Sequence, residues 1–95
     1  MSSVLHVDLE VNAGAEEALT ATFDQVFLPA VRRQDGFRSV ALLRPVEPGP
    51  YRLALEFEEE AQRLRWVESD LHQRVWPQME SHCSSYAPHL FQEGG

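Results

Sequence analysis

The sequence predicts an α+β fold of the ferredoxin-like type, with the element order β-α-β-β-α-β. Three observations lead to this prediction: an alternating apolar segment opens the chain, two segments carry apolar residues every three or four positions, and paired strand-like segments lie between them. In this arrangement both helices cover one face of a four-stranded antiparallel sheet. We expect residues 1–95 to form a single domain, since 95 residues are too few for two.

The first strand is predicted over residues 4–11 because apolar and polar side chains alternate there with the period of a strand. The apolar face carries Leu5, Val7, Leu9 and Val11, and the polar face carries His6, Asp8 and Glu10.

A helix is predicted from Ala15 to about Gln34, where apolar residues recur every three or four positions. Acidic residues fill its first turn and two arginines its last, an arrangement that complements the helix dipole. Pro29 lacks a backbone donor and is expected to kink the final turn. Gly36 is the expected left-handed stop.

Two further strands are predicted at residues 37–44 and 51–57. The intervening residues 45–50 contain three prolines and one glycine, a composition typical of a turn. So short a connection makes the two strands antiparallel neighbours.

The second helical segment begins near Glu58 and has an apolar stripe that consists of Ala61, Leu64, Val67, Leu71 and Val75. An unbroken helix would direct Trp66 away from this stripe. We therefore expect a break near Ser69-Asp70, where either residue could cap a short helix that carries His72 and Trp76. Pro77 is expected in an early turn of that helix or at its end.

The tail from about His82 to Phe91 has possible strand positions at Cys83, Tyr86, Leu90 and Phe91. Pro88 interrupts it, which favours an edge strand or a segment that reaches a partner. The sheet face away from the helices needs a cover, and in so short a chain a second copy can provide it, so we expect a homodimer.

The charge balance makes several partners poor candidates. Eight Lys+Arg against fifteen Asp+Glu leave a net charge of −7 and a pI near 4.9. Such a surface repels nucleic acid and anionic membranes. No apolar run approaches the roughly 20 residues of a membrane span.

The chain shows no secretory signal and has a lone cysteine, Cys83, so we expect a cytoplasmic protein. We expect the thiol of Cys83 to be passive.

Residues 66–77 are the most informative stretch for function. They place two indoles and an imidazole close together, with His72 and Trp76 four positions apart on one helical face. This spacing indicates an aromatic-walled cleft that contains one titratable group. The alternative is structural: buried tryptophans are common in cores, and a histidine beside them can be packing alone.

Three segments resemble the antibiotic biosynthesis monooxygenase family of dimeric α+β barrels. They are residues 28–37, where a helix end runs through a glycine into a strand, residues 51–58, and the Trp-x5-His spacing from Trp66 to His72. Together with the first strand, the likeness covers nearly the whole chain. The resemblance implies the dimeric barrel fold, but this fold carries monooxygenases, haem-degrading enzymes, lactone isomerases and proteins without established activity.

In the cofactor-independent monooxygenases of this family, an electron-rich phenolic substrate such as an anthrone or quinol supplies its own electrons to O2. By this resemblance, Trp66 and Trp76 would be stacking walls and His72 the general base. Weaker candidates to hydrogen-bond a substrate oxygen are His6, Asp8 and Tyr86. For His6 and Asp8 the alternative is a solvated or dimer-facing strand surface.

The haem-degrading branch differs from this chain at the iron ligand. Its histidine lies about ten residues after the shared tryptophan, where this chain has Trp76, and the first strand lacks that branch's asparagine. We expect no haem and no other resident cofactor. No metal site is expected either, because His6, His72, His82 and His89 show no tight ligand spacing.

The leading functional hypothesis is a dimeric, cofactor-independent monooxygenase that acts on an aromatic or quinol-type small molecule. Two alternatives remain open. One is a non-catalytic module that binds a small hydrophobic ligand. The other is an isomerase or lactone-processing enzyme of the same fold, in which His72 transfers protons only.

Overall fold

The computed structural model describes residues 1–94, which form one four-stranded antiparallel sheet covered on one face by helices. The strands are β1 (Ser3–Val11), β2 (Phe37–Leu43), β3 (Tyr51–Phe57) and β4 (Cys83–Gln92), and their order in the sheet is β2-β3-β1-β4. This is the predicted ferredoxin-like arrangement, which confirms the fold class.

Strand β1 lies in the interior of the sheet, between β3 and β4, and its register with them shows which of their residues share a face. Leu5 pairs with Leu55 of β3 on one side and with Leu90 of β4 on the other. The alternation predicted for β1 is observed: Val7 and Leu9 are buried beneath the helices, while Glu10 is exposed on the other face. Strand β3 alternates in the same way, with four buried residues, Tyr51, Leu53, Leu55 and Phe57.

The first helical run extends over residues 16–31 and consists of α1 (Glu16–Thr22), a π-helical turn (Phe23–Phe27) and α2 (Leu28–Val31). It is shorter than predicted, and the irregularity expected at Pro29 takes the form of this π-helical turn just before the proline. Pro29 has no N–H to donate to the carbonyl four residues earlier, so the regular hydrogen-bond ladder cannot continue through it.

The second helical segment divides as predicted into α3 (Glu60–Glu68) and α4 (Asp70–Glu80). The predicted apolar stripe was wrong over α3, where Ala61 and Leu64 are exposed and Trp66 is buried instead. Ser69 between them has an extended backbone with φ −71° and ψ 151° and serves as the N-cap of α4. The expectation for Pro77 was wrong, because α4 continues through it to Glu80. Pro77 is on the exposed side of the helix, where water can satisfy the carbonyl that loses its donor.

Strand β4 also continues through its proline. Pro88 pairs with Val7 inside a ten-residue strand that forms an edge of the sheet. An edge strand tolerates proline because one of its sides needs no ladder hydrogen bond. Within residues 1–94, none of the helices has the length and apolar character needed to cross a membrane.

Candidate functional site

A cavity of about 320 Å³ lies between the helices and the sheet. Its volume is at the lower end of the range of small-molecule sites. Three strands, the π-helical turn, α3 and α4 contribute to its lining, which consists of Leu5, Val7, Phe27, Leu53, Leu55, Trp66, Val67, His72, Gln73, Trp76, Tyr86 and Pro88.

The floor of the cavity is aliphatic because it is the helix-facing side of the sheet. Leu5 and Val7 of β1 lie beside Leu53 and Leu55 of β3, and the antiparallel register pairs Leu5 with Leu55 and Val7 with Leu53. The strand period of two therefore supplies a flat apolar surface on which a planar ligand can lie.

The walls of the cavity are a continuous aromatic cluster. The ring of Phe27 lies 5.9 Å from that of Trp66 and 6.4 Å from that of Trp76, measured between centroids, and it meets both edge to face. Trp76 in turn meets Tyr86 edge to face at 5.2 Å. These geometries are favourable for aromatic pairs and fix the orientation of each ring.

His72 is held between the two indoles. Its ring stands edge to face with Trp66 at 5.1 Å and lies nearly parallel to Trp76, with 14° between planes and 6.3 Å between centroids. The Nδ1 atom of His72 is buried and has no hydrogen-bond partner within residues 1–94. Burial lowers the pKa of His72 below its usual value, because the charged form loses solvation. At neutral pH the imidazole is therefore a neutral base.

Ser69 connects the two central site residues. Its hydroxyl donates to the carbonyl oxygen of Trp66 at 2.7 Å and accepts from the backbone N–H of His72 at 3.1 Å. A further hydrogen bond spans the same break: Gln73 Nε2 donates to the carbonyl oxygen of Val67 at 3.0 Å. These three bonds fix α4 relative to α3, and with it the position of His72 beside Trp66.

Four of the six site residues predicted from the sequence line this cavity: Trp66, His72, Trp76 and Tyr86. His6 and Asp8 do not, because strand alternation places them on the opposite face of the sheet.

Both residues make other contacts on that face. Asp8 accepts a hydrogen bond from Arg52 Nε at 2.8 Å and lies 3.4 Å from His89 Nε2. The Arg52 guanidinium lowers the pKa of the Asp8 carboxyl. His6 meets the ring of Phe91 edge to face at 5.4 Å. His6 and Asp8 are therefore half-buried residues of the strand surface that faces away from the helices.

Sequence reasoning missed Phe27 and Gln73 as site residues. Phe27 belongs to the apolar period of the first helix and could be identified only as a core residue. Gln73 lines the cavity because the break at Ser69 rotates α4. The apolar stripe predicted for this segment gives no signal for that rotation.

The residues around His72 do not fit a haem. His72 Nδ1 is buried, and the ring is flanked by Trp66 and Trp76 rather than by residues that could support an iron ligand. Trp76 occupies the position at which the haem-degrading branch has its ligand. In the described part of the chain, no group of three or more His, Cys, Asp or Glu side chains could hold a metal ion.

An α+β fold with an aromatic cavity, and with a half-buried imidazole in its lining, supports a small-molecule-binding role. The family model for antibiotic biosynthesis monooxygenases matches residues 2–77, so the chain belongs to that family. This confirms the resemblance seen in the sequence. Comparison with curated proteins gives no match.

Several solved structures share the fold. SnoaB, a cofactor-independent oxygenase from Streptomyces nogalater, has a TM-score of 0.85 and 17% identity, over 99% of this chain and 94% of SnoaB. Rv0793 from Mycobacterium tuberculosis has a TM-score of 0.83 and 18% identity, over 100% and 97% of the two chains. The haem-degrading protein Rv3592 from Mycobacterium tuberculosis has a TM-score of 0.76 and 24% identity, over 97% and 93%. At these identities the likeness establishes the fold. Family and fold together support a monooxygenase or small-molecule-binding role.

Proposed function

We propose that this protein is a cofactor-independent monooxygenase that oxidises a flat phenolic molecule, of the anthrone or quinol type, with O2. The observation that carries the proposal is the imidazole of His72, which lines a cavity with aromatic walls and is flanked by two indoles. Trp66, Trp76 and Tyr86 are the proposed substrate-binding residues, and His72 is the proposed catalytic base.

The cavity favours an uncharged aromatic ligand. Among residues 1–94, no Asp, Glu, Lys or Arg side chain lines it, and its floor and walls are mostly aliphatic and aromatic. His72 contributes an imidazole to this lining, and a ligand hydroxyl in the cavity would donate to the acceptor nitrogen of that ring. Neutral imidazole has one acceptor nitrogen, which suits it to receive this proton.

The proposed reaction balances without a further reductant. His72 takes the acidic proton of the substrate, and the resulting carbanion transfers an electron to O2. The two radicals combine to form a hydroperoxide at the activated carbon. Loss of water from the hydroperoxide leaves a carbonyl group, so that one oxygen atom enters the product and the other leaves as water. With an anthrone, the activated CH2 group supplies all four electrons, its two hydrogens leave in the water, and the proton on His72 returns to the departing oxygen.

The aromatic walls have a second proposed task, which is to exclude water. Trp66 is only 2% exposed and Phe27 is also buried, so these two walls are shielded from water. A carbanion held there would meet O2 rather than a proton from water, and the low polarity would keep His72 in its neutral form.

Oxygen uptake with anthrone tests the proposal. The wild-type protein should consume one O2 for each anthrone oxidised, and labelled dioxygen should place one labelled atom in the quinone product. Anthrone with buffer alone and with heat-denatured protein are the controls. Saturable anthrone binding without protein-dependent oxygen uptake would refute the oxygenase proposal and favour the non-catalytic ligand-binding module.

The second candidate is an isomerase that uses His72 for proton transfer alone. It is favoured by one observation: His72 is the one imidazole or carboxyl group along the described cavity lining, and a single base can both remove and return a proton. Exchange of substrate hydrogen for deuterium without oxygen uptake would identify this activity.

We further propose that residues 1–95 act as one domain that pairs into a homodimer through the open sheet face. That face combines apolar side chains, including Phe91 and Leu43, which are 51% and 47% exposed, with the Asp8–Arg52 ion pair. Two such faces would bury each other's apolar area. Light scattering at micromolar concentration should give twice the 10.8 kDa chain mass, and a stable monomer would contradict the proposal.

We place this dimer in the cytoplasm, since a lone thiol suits a reducing compartment.

A further inference from the structure

A second recess lies on the other side of Trp66 from the aromatic cavity. It has a volume of about 230 Å³ and is lined by Arg33, Gln34, Asp35, Gln62, Arg65 and Trp66. Trp66 is the one residue that lines both hollows, so its indole separates an apolar cavity from a polar one. The proposed oxygenase function uses none of the polar side chains in this recess.

One wall of the recess is the turn that follows α2, and backbone bonds hold it. Gln34 donates from its backbone N–H to the carbonyl of Val31 at 3.0 Å and from its side chain to that of Ala30 at 3.1 Å. At the far end of the turn, the carbonyl of Gly36 accepts from the backbone N–H of Glu58 at 2.8 Å. The turn is therefore fixed to the start of the second helical segment.

Gln62 of α3 closes the recess from the opposite side. Its Oε1 accepts the backbone N–H of Glu59 at 3.0 Å, as part of a capping box at the start of the helix. Its amide group packs against Gly36, which has φ +79° and could not carry a Cβ without a collision with that amide. The glycine is thus required both for its left-handed backbone and for this close approach.

The cations of this recess retain free donors. Arg33 donates Nε to the carbonyl of Pro29 at 3.0 Å, which orients the side chain and leaves its terminal nitrogens available. Within residues 1–94, neither Arg33 nor Arg65 forms an ion pair. The arginines that do have carboxylate partners are Arg38, Arg52 and Arg63.

We propose that this recess binds a small oxyanion, either a dicarboxylate or a phosphate group, between the guanidinium groups of Arg33 and Arg65. Guanidinium groups bind both kinds of oxyanion through paired N–H donors. Asp35 supplies one opposing charge, so two cations and one carboxylate leave the lining net positive in a protein of net charge −7. The site is independent of the oxygenase proposal, since it requires nothing of His72.

Calorimetric titration with sodium succinate and with sodium phosphate, at constant ionic strength, tests the site. At least one of the two should bind saturably with one site per chain, and the one that binds identifies the ligand class. The indole N–H resonance of Trp66, assigned with Trp66→Phe, should shift during the same titration because the indole lines the recess.

Matched variants distinguish a built site from diffuse attraction. Arg33→Gln and Arg65→Gln should each raise the dissociation constant about tenfold or more, since each removes charge-assisted hydrogen bonds. Asp35→Asn should lower it, and Arg74→Gln, on the exposed surface of α4, should leave it unchanged. Absence of saturable binding to either anion, or an equal loss in Arg74→Gln, would overturn the proposal. Circular dichroism verifies that each variant is folded.

Discussion

The imidazole of His72 stands edge to face with the indole of Trp66, with 5.1 Å between ring centroids and 86° between planes. In an unbroken α-helix, residues six positions apart lie about 240° apart around the axis and cannot meet in this way. The contact exists because the helix stops at Glu68 and begins again at Asp70. The site is therefore a product of the break, and Ser69 is the residue that stabilises the break.

Removal of the Ser69 hydroxyl should weaken both stability and the site. Ser69→Ala loses an N-cap acceptor for His72 and a donor to Trp66, and such caps typically contribute about 1 kcal/mol. We expect a lower melting temperature and weaker anthrone binding. Ser69→Thr, which retains the hydroxyl, should lose much less. If Ser69→Ala behaved like Ser84→Ala, an exposed serine in β4, the positioning role of Ser69 would be wrong.

The stability of the protein should depend on the titration of His72 in a specific direction. Burial lowers the pKa of His72 in the folded state, so the unfolded chain binds the proton more tightly. Protonation of His72 therefore destabilises the folded protein. This effect is absent well above the pKa of the unfolded chain, about 6.5, and grows as the pH falls through that value toward the pKa of the folded state. Thermal melts from about pH 7.5 to about pH 5 should show a smaller loss for His72→Gln than for the wild type.

His6, His82 and His89 remain in both proteins, so the difference between the two pH profiles isolates His72. An NMR titration provides the direct check, because the ring signals of His72 should shift at lower pH than those of a histidine in an unstructured peptide. Identical pH profiles for wild type and variant would contradict the burial argument.

The sequence was sufficient to predict the sheet and the helix break. Alternation in β1 gives its buried face directly, and Ser69 and Asp70 are residue types that cap helices, which indicates the break. The stripe through Ala61 and Leu64 was wrong, because α3 buries Trp66 and exposes both of them. The helical run at residues 16–31 was predicted less well, since local sequence does not show how a helix accommodates Pro29. The continuation of α4 through Pro77 was missed for a similar reason, because exposure to water decides whether an orphaned carbonyl is tolerated.

The candidate site was predictable only in part. Trp66, His72 and Trp76 are neighbours in the sequence, so the break alone brings them together. Tyr86 reaches the cavity through the pairing of β4 with β1, and Phe27 through the packing of the first helical run on α4. Those contacts depend on tertiary geometry, to which residue types and spacing contribute little.

Haem should not form a defined complex with this protein. Trp76 stands where the haem-degrading branch has its iron ligand, and the ring of His72 is flanked by Trp66 and Trp76. Titration of haem should therefore give no saturable one-to-one change in its absorption band. The opposite result, abolished by His72→Ala, would show that the indoles move apart and that His72 is an iron ligand.

Trp66→Ala should lower the stability of the protein much more than the loss of the His72 imidazole does. Trp66→Ala removes a fully buried ring, a change that typically costs about 3 to 5 kcal/mol of stability. We expect this variant to melt at a much lower temperature and to bind anthrone weakly. Trp66→Phe retains an aromatic wall and should recover part of both properties. A stable Trp66→Ala protein would show that the indole is not a packing element.

The most direct test of the central claim, that His72 is a catalytic base, compares anthrone-dependent oxygen uptake and thermal melting in His72→Gln. Glutamine retains a polar side chain of similar reach but cannot accept the proton. We predict that turnover falls by about 10² to 10⁴ while the melting temperature near neutral pH changes little. His82→Gln, which alters a histidine hydrogen-bonded to Thr22 outside the cavity, should retain wild-type uptake. Unchanged oxygen uptake in His72→Gln, or an unfolded protein, would show that His72 is structural and would contradict the account.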